Sequence, residues 1–300
     1  MLQYKARMKT CLIIQGPYYD TESIQTIKTI KLATESKLFS KICLSTYDHP
    51  KLSNLEKYKI DIIKNIDPGC KSWDKYRKCF NNHNRQIHTL KEAIQSNEFD
   101  FTFKIRSDCI IYDFKKFKNI LDAFMESNKD YFFCDTTSVD YKVKYQKILY
   151  HLSDWVLGFK KNVSNNVKEI PYDDEINNTQ WVENLTGNMK DLYKLERCST
   201  KFGGEQWITL NLLRRGEFPI THGLEYSEQA EKLYEEDLEK VMCVPLYKIG
   251  IKSMKYKTIH FPHYDRFENY LGVFEKSIYK ILGYTYKHLT NVYVRYLKFK

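Results

Sequence analysis

Short apolar runs alternate with stretches of helical period along the first 135 residues, and the two periods separate strands from helices. KTCLII (9–14) predicts a buried strand, followed by the turn Gln15-Gly16-Pro17. Asp20 or Thr21 is then placed to cap a helix that carries Ile24, Ile27 and Ile30 on one face. KICLST (41–46) predicts a second strand, and YKIDIIKNI (58–66) a third that ends at the breaker Asp67-Pro68-Gly69. NRQIHTLKEAIQ sets Ile87, Leu90 and Ile94 at helical spacing. In FDFTFKIRSD (99–108), Phe101, Phe103 and Ile105 point one way, while Thr102, Lys104 and Arg106 point the other. A helix bearing Phe114, Phe117, Leu121 and Phe124 follows, and then the strand DYFFCD (130–135). This regular alternation predicts an α/β fold with a mostly parallel central sheet.

Beyond residue 140 the pattern loosens. The polar, Asn-rich segment 161–190 reads as a long loop. A helix is expected over 205–215 and a strand near YKTIHF (256–261). With no internal repeat and no Pro/Gly/Ser linker in its 300 residues, the chain is expected to form one domain. Aromatic residues are 15% of the total, with 24 Tyr and 17 Phe, so ring packing must fill much of the core.

Charge narrows the partners. Lys and Arg number 48 against 38 Asp and Glu, a net charge of +10, which favours anionic ligands: phosphates, an anionic membrane surface or nucleic acid. None of the eight cysteines forms a C-x-x-C pair, which disfavours a zinc ribbon or finger. Cys11, Cys43, Cys109 and Cys134 lie in or beside apolar runs, as reduced cysteines of a cytoplasmic protein do. The N-terminal apolar run of four residues is too short for a signal peptide, and no stretch has the length of a membrane span. A cytoplasmic protein, with or without peripheral membrane contact, is expected.

Ligands of open α/β sheets bind at the carboxyl ends of the strands. Four such ends carry small or polar groups: Gln15-Gly16-Pro17, Ser45-Thr46, Asp67-Pro68-Gly69 and Arg106-Ser107-Asp108. Any one of these is an ordinary turn, but their recurrence makes a nucleotide crevice. Gly16 would let backbone amides approach a base or phosphate closely. Neither G-x-G-x-x-G nor a Walker-type loop is present, which counts against a dinucleotide dehydrogenase or a P-loop NTPase. The G-x-S-x-G elbow of α/β-hydrolases is missing too. Asp108 closes an alternating strand, where a hard oxygen ligand can hold a divalent cation against a diphosphate. Arg106, two residues earlier, suits phosphate or ribose; the alternative is a structural Arg106–Asp108 ion pair.

These motifs together resemble the WavE-type lipopolysaccharide synthesis family. The resemblance is carried by Ile14-Gln15-Gly16-Pro17, Leu44-Ser45-Thr46, Asp67-Pro68-Gly69, Asn84-Arg85-Gln86-Ile87 and Lys104-Ile105-Arg106-Ser107-Asp108. It continues through Ser153-Asp154-Trp155 with Gly158, and Gly204-Glu205-Gln206, running in order from about 11 to 265. It implies a single glycosyltransferase domain of the GT-A type, Rossmann-like, over 1–270. Its nucleotide-binding half would be about 9–135 and its acceptor half about 136–270, with a basic aromatic helical tail at 271–300. Where GT-A enzymes carry Asp-x-Asp, this chain has Arg106-Ser107-Asp108, so the last position alone matches.

The implied reaction moves a sugar from a nucleotide-sugar donor to a lipid-linked or oligosaccharide acceptor in lipopolysaccharide or capsule synthesis. Gln15, Gly16, Pro17, Thr46, Asp67, Arg85, Arg106 and Asp108 would line the donor site. Mn²⁺ or Mg²⁺ would sit on Asp108, with His260 or His263 completing its shell or touching the diphosphate. Glu205, or Asp154 beside the sugar platform Trp155, would take the acceptor's proton; direct in-line displacement would invert the anomeric centre. Glu205 is equally placed to stabilise a helix N-terminus. His83 and His88 flank Arg85 without an assigned role, and Asn81, Asn82 and Asn84 cap the helix. The tail after Tyr270 either lies on an anionic bilayer or packs on the core. Two other classes compete: a nucleotidyltransferase making an activated sugar, which would want a basic Gly-rich loop after the first strand, and a non-enzymatic nucleic-acid-binding protein. Nucleic acid is not the expected partner, because no recognised RNA or DNA module is present.

Overall fold

Cys11 and Ile13 pack on one face of a sheet while Leu12 and Ile14 pack on the other, as the two-residue period of a strand buried on both sides requires. The computed structural model describes residues 8–21, 25–70, 72–74, 79–95, 99–135, 139–140, 146–195 and 198–254. Seven strands make the sheet: β1 (Thr10–Gln15), β2 (Lys41–Tyr47), β3 (Asp61–Asn65), β4 (Phe101–Arg106), β5 (Tyr131–Asp135), β6 (Ser153–Lys160) and β7 (Val241–Pro245). Their order is β7-β5-β6-β4-β1-β2-β3. β1 runs parallel to β2 and β4, β2 to β3, and β5 to β7, whereas β6 is antiparallel to both β4 and β5. The fold is therefore α/β with a mostly parallel central sheet, as the alternation of elements predicts.

Helices cover both faces. On one side α1 (Thr26–Ser36) and α3 (Phe114–Glu126) contribute Ile30, Ala33, Phe117, Leu121 and Phe124 to a core with Leu12, Leu44, Phe103 and Phe132. On the other, α2 (His83–Gln95), α4 (Gly204–Arg214) and α5 (Glu228–Leu238) bring Ile87, Leu90, Ile208, Leu212, Ala230 and Tyr234 against Ile13, Cys43, Phe133 and Leu157. Rings fill the first core: Phe124 lies 5.8 Å from both Phe103 and Phe132. Cys11, Cys43, Cys109 and Cys134 are free and buried, and burial pushes the thiols of Cys11 and Cys43 up to about 12, so they behave as small apolar groups.

Two expectations are corrected. α1 starts at Thr26 rather than after Asp20 or Thr21, with no side-chain cap from Gln25. Asp20 pairs with Lys51 instead. Thr26 and Thr29 donate to the carbonyls of Ser107 (3.2 Å) and Cys109 (2.8 Å), docking α1 under the end of β4. The segment 161–190 is not one loop: it holds the helices Ser164–Glu169 and Glu175–Glu183 and the start of Gly187–Leu195. In Glu175–Glu183 the described buried side chains are Asn178 and Val182. The polar side of β4 does not face water, for Thr102 and Lys104 are both buried. The strand expected near 256–261 and the boundary expected at 270 lie outside the described residues.

β6 enters the sheet through an irregularity. Ser153 pairs with Cys134 and Leu157 with the adjacent Phe133, so three residues on β6 bulge between consecutive positions of β5. Beyond the bulge Gly158 passes so close to β4 and β5 that a Cβ would lie 2.9 Å from the Phe103 ring and 3.0 Å from Phe132 Cβ. Gly158→Ala is expected to cost about 1–3 kcal/mol by overpacking. A lower urea midpoint at unchanged slope would report it; an unchanged midpoint would refute the close packing.

Candidate active site at the carboxyl edge of the sheet

β2 and β3 lie on one side of β1 and β4 lies on the other, so the direction of winding reverses between β1 and β4. The crevice outside the carboxyl ends at such a reversal is where open α/β sheets bind ligands. Gly16 and Ser107 meet there. The Ser107 amide donates to the Gln15 carbonyl (2.8 Å) and the Gly16 amide to the Ser45 carbonyl (3.0 Å). Gly16 has φ +123°, and a Cβ on it would stand 2.7 Å from Ser107 Oγ, so the turn requires glycine on both counts. Pro17 beside it is exposed.

Because β6 is antiparallel, its first residues arrive at this same edge. Arg106 donates from Nε to Asp108 Oδ1 (3.0 Å) and from Nη2 to Oδ2 (2.8 Å), a two-pronged fork. The guanidinium lies 5.4 Å from the centre of the Trp155 ring. Burial works against the Arg106 cation, yet its hydrogen bonds to Asp108 and the nearby Asp154 hold its pKa above the ordinary guanidinium value. One pleat back, Lys104 is 1% exposed and Asp154 2% exposed. Lys104 Nζ donates to Asp154 Oδ2 at 3.0 Å and to the Asp154 carbonyl. Burial disfavours the Asp154 carboxylate, but Lys104 and Arg106 outweigh it and hold the group below its ordinary range. Asp154 Oδ1 is buried with no hydrogen-bond partner.

The remaining expected residues fall into distinct places. Gln15 is buried, and its amide is spent on Thr89 Oγ1 (2.9 Å) and the Gln86 carbonyl of α2. Thr46 is fully buried, with its hydroxyl unpartnered. Asp67 and Arg85 pair with each other through two hydrogen bonds of 2.7 and 2.6 Å, which together with the Gly69 amide lower the Asp67 pKa despite partial burial. Glu205 sits in the first turn of α4 with 27% of its side chain exposed, 4.0 Å from His151 Nε2. His260 and His263 lie outside the described residues.

Reasoning from sequence missed the groups that join these pieces. His151 stands against Gly203, where a Cβ would be 3.4 Å from Nε2. His83 Nδ1 lies 2.7 Å from Asp173 Oδ2, which also accepts from Asn178 Nδ2 at 2.8 Å. Asp173 carried no signal, being one polar residue in a polar stretch. For Lys104 the signal was its place in the middle of an apolar strand. Of Asn81, Asn82 and Asn84, expected to cap α2, Asn81 accepts from the His83 amide at 3.1 Å, whereas Asn84 lies inside the helix and binds the backbone of Asp173 instead.

The described residues do not fit a divalent cation. Both oxygens of Asp108 accept from Arg106, and no group of three His, Cys, Asp or Glu among the described residues could hold a metal ion. Among the described residues no helix is long and apolar enough to cross a membrane.

The Lys104–Asp154 pair generates a prediction. Removing one partner of a buried ion pair strands the other charge, so Lys104→Met should cost about 3–5 kcal/mol. Replacing both partners, with Asp154→Leu added, should recover much of the loss. Asp154 binds a proton less readily in the folded than in the unfolded chain. Its contribution is therefore complete above the ordinary carboxylate value of 3.8 and fades as pH falls below it. Equal stabilities for the single and double variants in urea would overturn this account.

Comparison with known proteins gives the following. In structure the chain is similar to glucosyl-3-phosphoglycerate synthase from Mycobacterium tuberculosis in complex with Mn²⁺, UDP and phosphoglyceric acid. That likeness has TM-score 0.36 and 8% identity, over 54% of this chain and 58% of that one, less than two thirds of its length. It is also similar to a CMP:2-keto-3-deoxy-manno-octonic acid synthetase complexed with CTP (TM-score 0.36, 11% identity, 63% and 83% coverage). A third is a 4-diphosphocytidyl-2C-methyl-D-erythritol synthase from Anaerococcus prevotii (TM-score 0.34, 11% identity, 64% and 86% coverage). Likenesses this distant decide nothing about activity. No curated protein matches the sequence. A family model described as WavE lipopolysaccharide synthesis matches residues 10–247. That span takes in all seven strands of the sheet and the whole carboxyl edge, and the chain belongs to the WavE lipopolysaccharide synthesis family.

Proposed function

We propose that the protein is a glycosyltransferase that moves a sugar from a nucleotide-sugar donor to a lipid-linked or oligosaccharide acceptor of a surface polysaccharide. The observation that carries this reading is the Arg106–Asp108 fork at the β1/β4 reversal, backed by Lys104 and flanked by the Trp155 ring. The nucleotide departs as an anion, and a cation held in a fixed, partly buried place stabilises that charge as it develops. Gly16 leaves room for backbone approach on the opposite wall. In this reading Gln15 and Thr46 shape the floor, and Asp67 with Arg85 forms the rim. Of the two carboxylates considered as base, Asp154 is buried and committed to Lys104, which leaves Glu205 as the accessible one. A divalent cation on Asp108 would require the Arg106 fork to open. Attachment to an anionic membrane through 271–300 belongs to the same proposal.

Two outcomes test it. A panel of UDP-, GDP- and CMP-sugars, with CTP and UTP alongside, should show one nucleotide sugar raising the thermal midpoint by mass action. Stabilisation by CTP or UTP but by no nucleotide sugar would favour a nucleotidyltransferase instead. The same panel with and without Mn²⁺ or Mg²⁺ reports whether the fork opens for a metal. Gly16→Ala should lose the donor's stabilising shift, because its methyl group fills the crevice at a backbone angle that alanine avoids. A full donor shift in folded Gly16→Ala would remove the donor from this edge.

A further inference from the structure

α2 crosses the sheet with its N-terminus at the carboxyl edge. Ser45 and Tyr47, successive outward steps along β2, reach the carbonyls of Thr89 (2.6 Å) and Arg85 (3.3 Å). His83 lies a further half-turn on, about 3 Å along the helix axis, and so stands over the edge itself. Its ring is fixed from behind. Nδ1 lies 2.7 Å from Asp173 Oδ2, and Asn178 Nδ2 holds the same oxygen at 2.8 Å. Asn84 clamps the backbone of Asp173 from both sides, donating to its carbonyl and accepting from its amide, each at 2.7 Å. A carboxylate accepts, so Nδ1 carries a proton, and in the neutral ring the lone pair sits on Nε2.

The far edge of the ring packs against a glycine. Its Cδ2–Nε2 edge faces Gly204, where a Cβ would come within 2.5 Å of Cδ2 and 2.8 Å of Nε2. Glycine at the start of α4 is thus what admits the imidazole. No described residue hydrogen-bonds Nε2, and 11% of the side chain stays exposed. Glu205, by contrast, has among the described residues no ionic partner nearer than His151 at 4.0 Å to fix its direction. A nitrogen base oriented by a buried carboxylate, with its other nitrogen unbonded and part of its side chain exposed, is the arrangement that general-base catalysis uses.

We propose that His83, positioned by Asp173, is the base that takes the proton from the acceptor hydroxyl. This rests on the glycosyltransferase reading above. In the step, the acceptor O–H bond breaks and its proton passes to Nε2, giving an imidazolium paired with Asp173. The freed oxygen lone pair forms the new bond to the anomeric carbon. The bond from that carbon to the donor's phosphate oxygen breaks, and its electron pair leaves with the nucleotide.

The test uses the full chain, with UDP-glucose, GDP-mannose and a CMP-sugar as donors and water as the acceptor. His83→Gln should keep the donor's thermal shift and KM while nucleotide release falls about 10²–10⁴-fold. Asp173→Asn, which would favour the other tautomer, should also lower kcat at unchanged KM. In ¹⁵N-histidine spectra, assigned by loss of one ring in His83→Gln, Nδ1 should be protonated and Nε2 bare. Release at the wild-type rate by His83→Gln overturns the proposal. So does a loss confined to Glu205→Gln, or a proton on Nε2 whatever the turnover. If the wild-type chain binds no nucleotide sugar, the parent reading fails first, and that is seen before any variant is made.

Discussion

The buried ion pair between Lys104 and Asp154 is the constraint on which the rest of this edge depends. A charged amine in the middle of a central strand is tolerable when a carboxylate meets it at hydrogen-bond distance, and the carboxylate comes from the one antiparallel strand. The pair therefore ties β6 to β4 in one register. That register sets Trp155 against Arg106, and Arg106 in turn holds Asp108. A second constraint meets the first at β1, where Gly16 touches Ser107 without a side chain between them. Between these two contacts lies the switch-point crevice.

The charges around the crevice have unequal freedom. Asp154 is enclosed by Lys104 and Arg106 and works as a fixed counter-charge. Arg106 is partly open, with 21% of its side chain exposed. Glycines at 203 and 204 bring the first turn of α4 close to two histidines from distant parts of the chain, one from α2 and one from the segment before β6. The site is thus assembled from the ends of at least five elements, and small changes of packing in any of them would move it.

The first half of the fold was legible because its elements are buried on one face or both, and burial imposes a period. β1, β2, β4, β5, α2 and α3 appear within a few residues of where the apolar pattern puts them. The start of α1 was not legible: Asp20 has the chemistry of a cap, but Lys51 claims it. β6 and the helices of 164–195 were missed for related reasons. The former carries Ser, Asp, Trp and Gly in a bulged strand, and the latter are short and polar, so neither repeats an apolar residue at a diagnostic interval. At the site, Gly16, Arg106 and Asp108 could be found at strand ends, the Arg106–Asp108 pair could be named as one of two readings, and Asp154 came through the family resemblance, but Lys104 as the partner of Asp154 could not be found.

The sequence by itself determined the alternation of strands and helices, the parallel character of the sheet, and the edge at which polar groups collect, because each follows from local spacing. The tertiary structure alone decided that Lys104 is buried against Asp154, that Arg106 grips Asp108, and that Asp173 orients His83. Those pairings join residues 2, 50 and 90 positions apart. Even the shortest depends on which way a buried side chain must turn. Local spacing carries no record of such choices, since they are made when the layers close over one another and each charge must find the partner within reach.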